Sequence, residues 1–94
     1  MIIRPEAEKD IAEAINWYED QREGLGAKFQ VALDHVFEQL ELTPQLHRII
    51  YHGVRRALMA RFPFAVYYRV EGEEVFVLAV VHARRDPERW KSRI

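Results

Sequence analysis

The sequence predicts an α+β fold with the order β-α-α-β-β-β. A helical hairpin is expected to pack on one face of an antiparallel sheet, with a short C-terminal helical turn. Apolar residues recur every three to four positions up to Leu40, which indicates helices, and every second position from Val54 onward, which indicates strands. A chain whose helices precede its strands is typical of α+β proteins, in which helices cover one face of a sheet.

Composition limits the class of protein further. The 94 residues suit a single domain, 1–94, and 49% hydrophobic with 31% charged residues is typical of a globular chain. The absence of cysteine excludes disulfides, cysteine-based zinc sites and thiol catalysis. The first ten residues carry no apolar stretch of signal-peptide length. We therefore expect a cytoplasmic protein that needs no cofactor.

The first half of the chain predicts two antiparallel helices. Ile2 and Ile3 suit a short strand, and Pro5 suits the first position of a helix that runs to about Gln21. Glycines 24 and 26 predict a helix cap and a tight turn. A second apolar stripe starts at Leu25 and stops at Thr43-Pro44. So short a connection predicts a helical hairpin.

The second half predicts three strands. Residues Gln45–Gly53 lack periodicity and are interpreted as a loop. The predicted strands are Val54–Phe62, Phe64–Val70 and Val75–Val81, with a turn at Glu71–Glu73. Asp86-Pro87-Glu88 suits the start of a short helix ending near Arg93.

Charge is divided between the halves. Residues 1–46 hold four basic and ten acidic residues, and residues 47–94 hold ten basic, nine of them arginine, and five acidic. Strand alternation is expected to place Arg55 and Arg61 on the uncovered sheet face, beside Met59 and Tyr67. Arginines beside aromatic rings suit single-stranded RNA or an acidic partner, while an ordinary charged surface is the alternative.

The polar residues suggest no metal site. None of the histidines at 35, 47, 52 and 82 shows the spacing of a metal-binding pair on a helix. His82 ends the last strand beside Arg84, where it suits either a general acid or base or a hydrogen-bonded strand end. Glu19 and Asp20 are adjacent and do not face each other on a helix, so they are interpreted as a solvated face.

Three motifs resemble the RelE/ParE superfamily of type II toxin–antitoxin toxins. They are the helical-hairpin residues Trp17-Tyr18-Glu19, Leu25-Gly26 and Phe29, the strand RFPFAVYY (61–68) and the ending AVVHARRDPERW (79–90). The similarity extends from Ala7 to Arg93. The second and third motifs look closer to the ParE-like, plasmid-stabilisation branch.

The resemblance implies a growth-inhibiting toxin neutralised by a cognate antitoxin. ParE-like members bind DNA gyrase, whereas RelE-like members are metal-independent ribonucleases that cut messenger RNA on the ribosome. Ala65 and Trp90 depart from the ribonuclease pattern, and an indole is only a hydrogen-bond donor. Gyrase is therefore the expected target, and the alternatives are a ribonuclease and an inactive remnant or binding module. Candidate ribonuclease residues are Arg56, Arg61, His82 and Arg84.

The predicted fold and the family resemblance together suggest which residues bind the target and the antitoxin. The expected target-binding residues are Arg61, Tyr67, Arg84, Arg85, Arg89 and Trp90. Trp17 falls off the main apolar stripe of its helix, so it lies either at the stripe's edge or in solvent. An exposed tryptophan suits a binding hot spot, which makes Trp17 the candidate antitoxin contact.

Overall fold

Two helices pack on a five-stranded sheet in the computed structural model, which describes residues 1–86 and 88–94. The elements are β1 (Ile2–Ile3), α1 (Pro5–Gln21), α2 (Leu25–Leu42), β2 (Ile49–Tyr51), β3 (Val54–Leu58), β4 (Phe64–Glu71), β5 (Glu74–His82) and a 3₁₀ turn (Lys91–Arg93). The strand order is β1-β5-β4-β3-β2. The predicted fold class is confirmed, although β1 runs parallel to β5 and makes the sheet mixed.

The helical hairpin is closed by Glu19 near the end of α1. Its carboxylate accepts hydrogen bonds from the backbone N–H groups of Gly24 and Gly26, each at 3.0 Å. These N–H groups lie at the start of α2, where they have no partner within the helix. Glu19 is exposed, as its interpretation as part of a solvated face predicts, and it also caps the next helix, which the sequence analysis missed.

Glycine is required at positions 24 and 26 for two different reasons. Gly24 adopts a φ of +87°, which L side chains rarely adopt, and is the N-cap of α2. A Cβ atom at Gly26 would lie 2.8 Å from the carbonyl oxygen of Ile15. The helices are therefore held in close contact where the chain reverses.

Two strand boundaries differ from the prediction. Ile49–Tyr51 forms the edge strand β2 where a loop was expected, because three residues are too few for alternation to show. β3 ends at Leu58 instead of residue 62. Beyond it, Arg61 adopts a φ of +69°, which is incompatible with an extended strand.

The connection between α2 and β2 is anchored by two side chains of the sheet. The buried Tyr68 donates its hydroxyl to the carbonyl of Pro44 at 2.9 Å, and Arg55 donates to the carbonyl of His47 at 2.6 Å. Burial raises the pKa of Tyr68, and the positive charge of Arg55 partly opposes that shift. Arg55 therefore supports the connection and is not part of an uncovered basic face.

The main core lies between the helices and the sheet. Phe29 of α2 is fully buried, with its ring stacked on Tyr18 at a centroid distance of 5.4 Å and in edge contact with Phe62 and Phe64 at 5.2 Å each. Met59 is buried in this cluster as well, so its predicted place on the uncovered face was wrong.

A second core covers the other face of the sheet. Its residues are Val54, Ala65, Tyr67, Leu78, Ala79, Val81 and Trp90. Trp90 stacks on Tyr67 with ring centroids 4.9 Å apart and planes 13° apart. The face expected to be open is thus partly covered by the C-terminal segment, which we define as residues 83–86 and 88–94. The predicted helix start at Asp86-Pro87-Glu88 includes Pro87, which lies outside the described residues.

Candidate functional site

The C-terminal segment begins with a turn built on His82. The Nδ1 atom of His82 accepts hydrogen bonds from the backbone N–H groups of Arg84 and Arg85, at 3.1 and 3.0 Å. In the neutral ring the proton therefore sits on Nε2, and Nδ1 is already engaged as an acceptor. The turn leaves the side chains of Arg84 and Arg85 exposed beside each other.

Three arginines of this segment, spaced four residues apart, lie along α1. The Arg85 guanidinium is 5.7 Å from the ring centroid of Trp17. Arg89 lies 3.6 Å from carboxylate oxygens of both Asp10 and Glu13. The third, Arg93, also pairs with Asp10. Since Asp10, Glu13 and Trp17 are three or four residues apart, they share one face of α1 and follow the segment side by side.

A cleft of about 320 Å³ lies between the helix and the segment. Its lining carries the exposed side chain of Arg85, the half-buried ring of His82 and the aromatic face of Trp17. Acids line it too, at Glu13 and Asp86. The cleft therefore presents both charges. We call the exposed pair Arg84 and Arg85 the cationic rim; Arg85 lines the cleft, and Arg84 precedes it in the chain.

Trp17 is 48% exposed, which resolves its position in favour of solvent. Its ring makes an edge contact with Tyr18 at 5.0 Å and otherwise lies on the surface beneath Arg85. Burial raises the pKa of Tyr18, and the nearby charge of Arg85 partly opposes that shift. Tryptophan is enriched at binding hot spots, and the exposed indole of Trp17 suits such a role.

The four ribonuclease candidates do not converge on one place. Arg56 pairs in register with Tyr67 and lies on the sheet face away from the helices. His82 lies against Phe64 on the helix side, with ring centroids 5.6 Å apart. Arg61 lies in the connection between β3 and β4. His82 and Arg84 adjoin through the backbone N–H of Arg84, which donates to Nδ1 of His82.

Two expected target-binding residues are buried. Tyr67 is 1% and Trp90 4% exposed, and their rings stack on each other. The expectation that these rings lie on a surface open to a target was therefore wrong in this structure. The arginines at 61, 84, 85 and 89 are exposed as expected.

Sequence reasoning missed an apolar groove of about 950 Å³ along α2. Leu25, Val31 and Phe62 contribute apolar surface, and Lys28 and Arg61 add positive charge. None of the described residues that line it is acidic. The signal in the sequence was Val31, an apolar residue on the outer face of α2, outside the apolar stripe that packs on the core.

The described residues form neither a metal site nor a membrane-spanning helix. In the part of the chain that the structure describes, no three histidine, aspartate or glutamate side chains are grouped as a metal site would require. No helix there has the length and apolar character needed to cross a membrane. The hydrogen bond that Lys91 donates to Glu88 raises the pKa of Lys91, an exposed cation near Trp90.

Comparisons with known proteins agree with this geometry. Two helices on one face of a mixed sheet, followed by an arginine-rich segment, define a small α+β protein. The family model described as ParE toxin of type II toxin-antitoxin system, parDE, matches residues 1–87. The chain therefore belongs to the ParE toxin family.

A solved structure supports the fold. The chain is similar to the chromosomal ParDE TA system from P. aeruginosa, with 23% sequence identity and a TM-score of 0.64. The match covers 87% of this chain and 95% of that chain. No match is found among the curated proteins.

Proposed function

We propose that this chain is a toxin that inhibits DNA gyrase by binding it in the cytoplasm, and that a cognate antitoxin neutralises it. Family membership supports the toxin role. The observation that carries the mode of action is the cationic rim of Arg84 and Arg85, which a turn on His82 holds exposed. Arginine is suited to bidentate pairing with carboxylates and phosphates, both of which a gyrase–DNA complex presents.

The scattered ribonuclease candidates support binding over cleavage. Cleavage without a metal needs a base for the 2′-hydroxyl and positive charge at the phosphate in one place. Arg56 and His82 lie on opposite faces of the sheet, and Nδ1 of His82 is occupied. Messenger RNA cleavage remains the second candidate through His82 and Arg84, the two that adjoin.

Reversing the charge of the rim is expected to weaken inhibition of gyrase. An Arg84→Glu/Arg85→Glu variant should need at least ~10-fold more protein to inhibit supercoiling, because like charges at an interface are repelled and the two cations are lost. Arg48→Glu and wild type are the controls, since Arg48 is exposed and precedes β2. The measurement is supercoiling of relaxed plasmid by purified gyrase.

Different outcomes separate the candidate functions. Equal inhibition by wild type and the double variant contradicts the binding surface. Growth arrest on induction with unchanged supercoiling and cleaved transcripts establishes the ribonuclease instead. A chain that arrests no growth is the inactive remnant or plain binding module.

The antitoxin is proposed to contact Trp17 and the groove along α2. The exposed indole supplies an anchor, and the groove supplies apolar surface with positive charge at Lys28 and Arg61. This arrangement fits an amphipathic segment that carries acidic residues.

Truncating the anchor is expected to reduce antitoxin affinity. Trp17→Ala should raise the dissociation constant of the protein encoded by the neighbouring gene by ~30-fold, the effect of a hot spot worth about 2 kcal/mol. Leu42→Ala is the control, because Leu42 is an exposed apolar residue at the far end of α2. Titration calorimetry measures both, and equal affinities would remove Trp17 from the interface.

A further inference from the structure

Part of the β5 edge has no strand beside it. β1 covers only Phe76 and Val77, and the chain then leaves the sheet with the N–H of Arg4 donating to the carbonyl of Val77 at 3.0 Å. The next residue, Leu78, has no Cα partner on β4, because the β4–β5 register shifts at that point. It is the extra residue of a β-bulge, where backbone groups lose their regular partners.

Side chains from two distant parts of the chain occupy this gap. The N–H of Val80 donates to Oδ2 of Asp10 at 3.1 Å. The carbonyl of Leu78 accepts from Nη1 of Arg93 at 3.2 Å. The donor and the acceptor that a neighbouring strand would satisfy are both satisfied by side chains.

The two side chains also bind each other. Arg93 donates to Oδ2 of Asp10 at 2.5 Å and to Oδ1 at 3.0 Å, so the pair is bidentate. Asp10 is only 4% exposed, and the hydrogen bond to it raises the pKa of Arg93. A buried carboxylate needs such partners, since an unpaired buried charge is strongly destabilising.

We propose that Asp10 is a positioning residue for the target-binding surface: together with Arg93 it replaces a missing strand beside β5 and fixes the C-terminal segment along α1. The inference rests on the proposed function for the claim that this segment meets the target. Asp10 itself is buried and touches the segment from beneath. Its effect reaches the exposed cations through Arg89, which it contacts at 3.6 Å, and through Arg93.

The positions of the donor and the acceptor on β5 distinguish this role from that of an ordinary ion pair. A carboxylate only accepts hydrogen bonds and a guanidinium only donates them. The Val80 N–H needs an acceptor from α1, and the Leu78 carbonyl needs a donor from the segment. A charge swap, Asp10→Arg with Arg93→Asp, restores the attraction but sets donor against donor and acceptor against acceptor.

The test compares Asp10→Ala, Asp10→Asn, the charge swap and a control, Glu8→Ala, which removes an exposed acid from the same helix. Hydrogen exchange of the Val80 amide reports on the gap, and trypsin cleavage after Arg84, Arg85 or Arg89 reports on the segment. Growth arrest on induction and gyrase inhibition report on function. Circular dichroism first establishes the temperature at which each variant is folded.

Asp10→Ala is expected to speed Val80 exchange at least 10-fold and trypsin cleavage at least 10-fold, with at least 10-fold weaker growth inhibition, because the amide loses its acceptor and Arg93 its partner. Asp10→Asn keeps an acceptor oxygen, so Val80 should stay within 3-fold of wild type while trypsin cleavage still increases. If the alanine variant does not fold, Asp10→Asn alone tests the proposal: Val80 exchange should stay near the wild-type rate while trypsin cleavage increases. In the charge swap, Val80 exchange and trypsin cleavage should be at least as fast as in Asp10→Ala.

Two results would overturn the proposal. One is unchanged exchange and cleavage in both single variants, and the other is a charge swap that restores both to wild-type values. If wild type arrests growth without affecting gyrase, the proposed target is wrong, and the positioning role is still judged on exchange, cleavage and growth arrest.

Discussion

A Trp90→Ala variant is expected to lose about 3–5 kcal/mol of its free energy of unfolding, the usual cost of truncating a buried tryptophan. Trp90 is the one residue of the C-terminal segment whose ring lies in the second core, stacked on Tyr67. Its removal exposes apolar surface of the sheet and detaches the segment from it. Since domains of this size have total stabilities of roughly 5–15 kcal/mol, the loss is a large share.

Urea unfolding followed by far-ultraviolet circular dichroism measures this effect. A Trp90→Phe variant is the matched comparison, because a smaller aromatic ring retains part of the stacking on Tyr67 and should cost clearly less than alanine. A loss below about 1 kcal/mol for the alanine variant would mean that the segment does not cover the sheet.

A Phe29→Ala variant is expected to lose a similar ~3–5 kcal/mol, this time from the core under the helices. Phe29 is fully buried between Tyr18, Phe62 and Phe64, so the cavity has aromatic walls that cannot easily collapse. Phe62 also lines the groove along α2, and its support is removed with the ring. Antitoxin binding is therefore expected to weaken together with stability.

The matched control lies two residues further along the same helix. Val31 is 57% exposed, and Val31→Ala should change the free energy of unfolding by less than about 0.5 kcal/mol. Thermal unfolding separates the two, since each 1 kcal/mol shifts the midpoint by roughly 4–8 °C in a domain of this size. Equal midpoints for Phe29→Ala and wild type would contradict the aromatic core.

Local signals in the sequence were enough for the helices and the long strands. Pro5, the glycines at 24 and 26 and Thr43-Pro44 act within a few residues of themselves, so the ends of both helices were predicted closely. The predicted alternation along β4 is confirmed, with Phe64 and Tyr68 on the helix side and Tyr67 opposite. Exposure of Arg84 and Arg85 was also predictable, since charged side chains are rarely buried without partners.

Such local signals do not predict contacts between residues that are far apart in the chain. Nothing near Asp10 distinguishes it from the other acids of α1, yet it is the buried one because Val80 and Arg93 meet it in space. Trp90 was expected to meet a target as the aromatic residue that the resemblance places in the terminal helix, whereas its ring is buried in the second core. A sequence pattern identifies the face of a single element, but not which part of the chain comes to cover that face.

The contacts of Asp10 with the far end of the chain have a consequence for how this protein is made. Asp10 and Val80 are 70 residues apart in the chain, and Asp10 and Arg93 are 83 apart. Contacts of such long range form late, because the entropy of closing large loops must be overcome first. During synthesis the helical hairpin emerges well before its sheet partner β5, so a nascent chain exposes both helices before the arginine-bearing segment is in place.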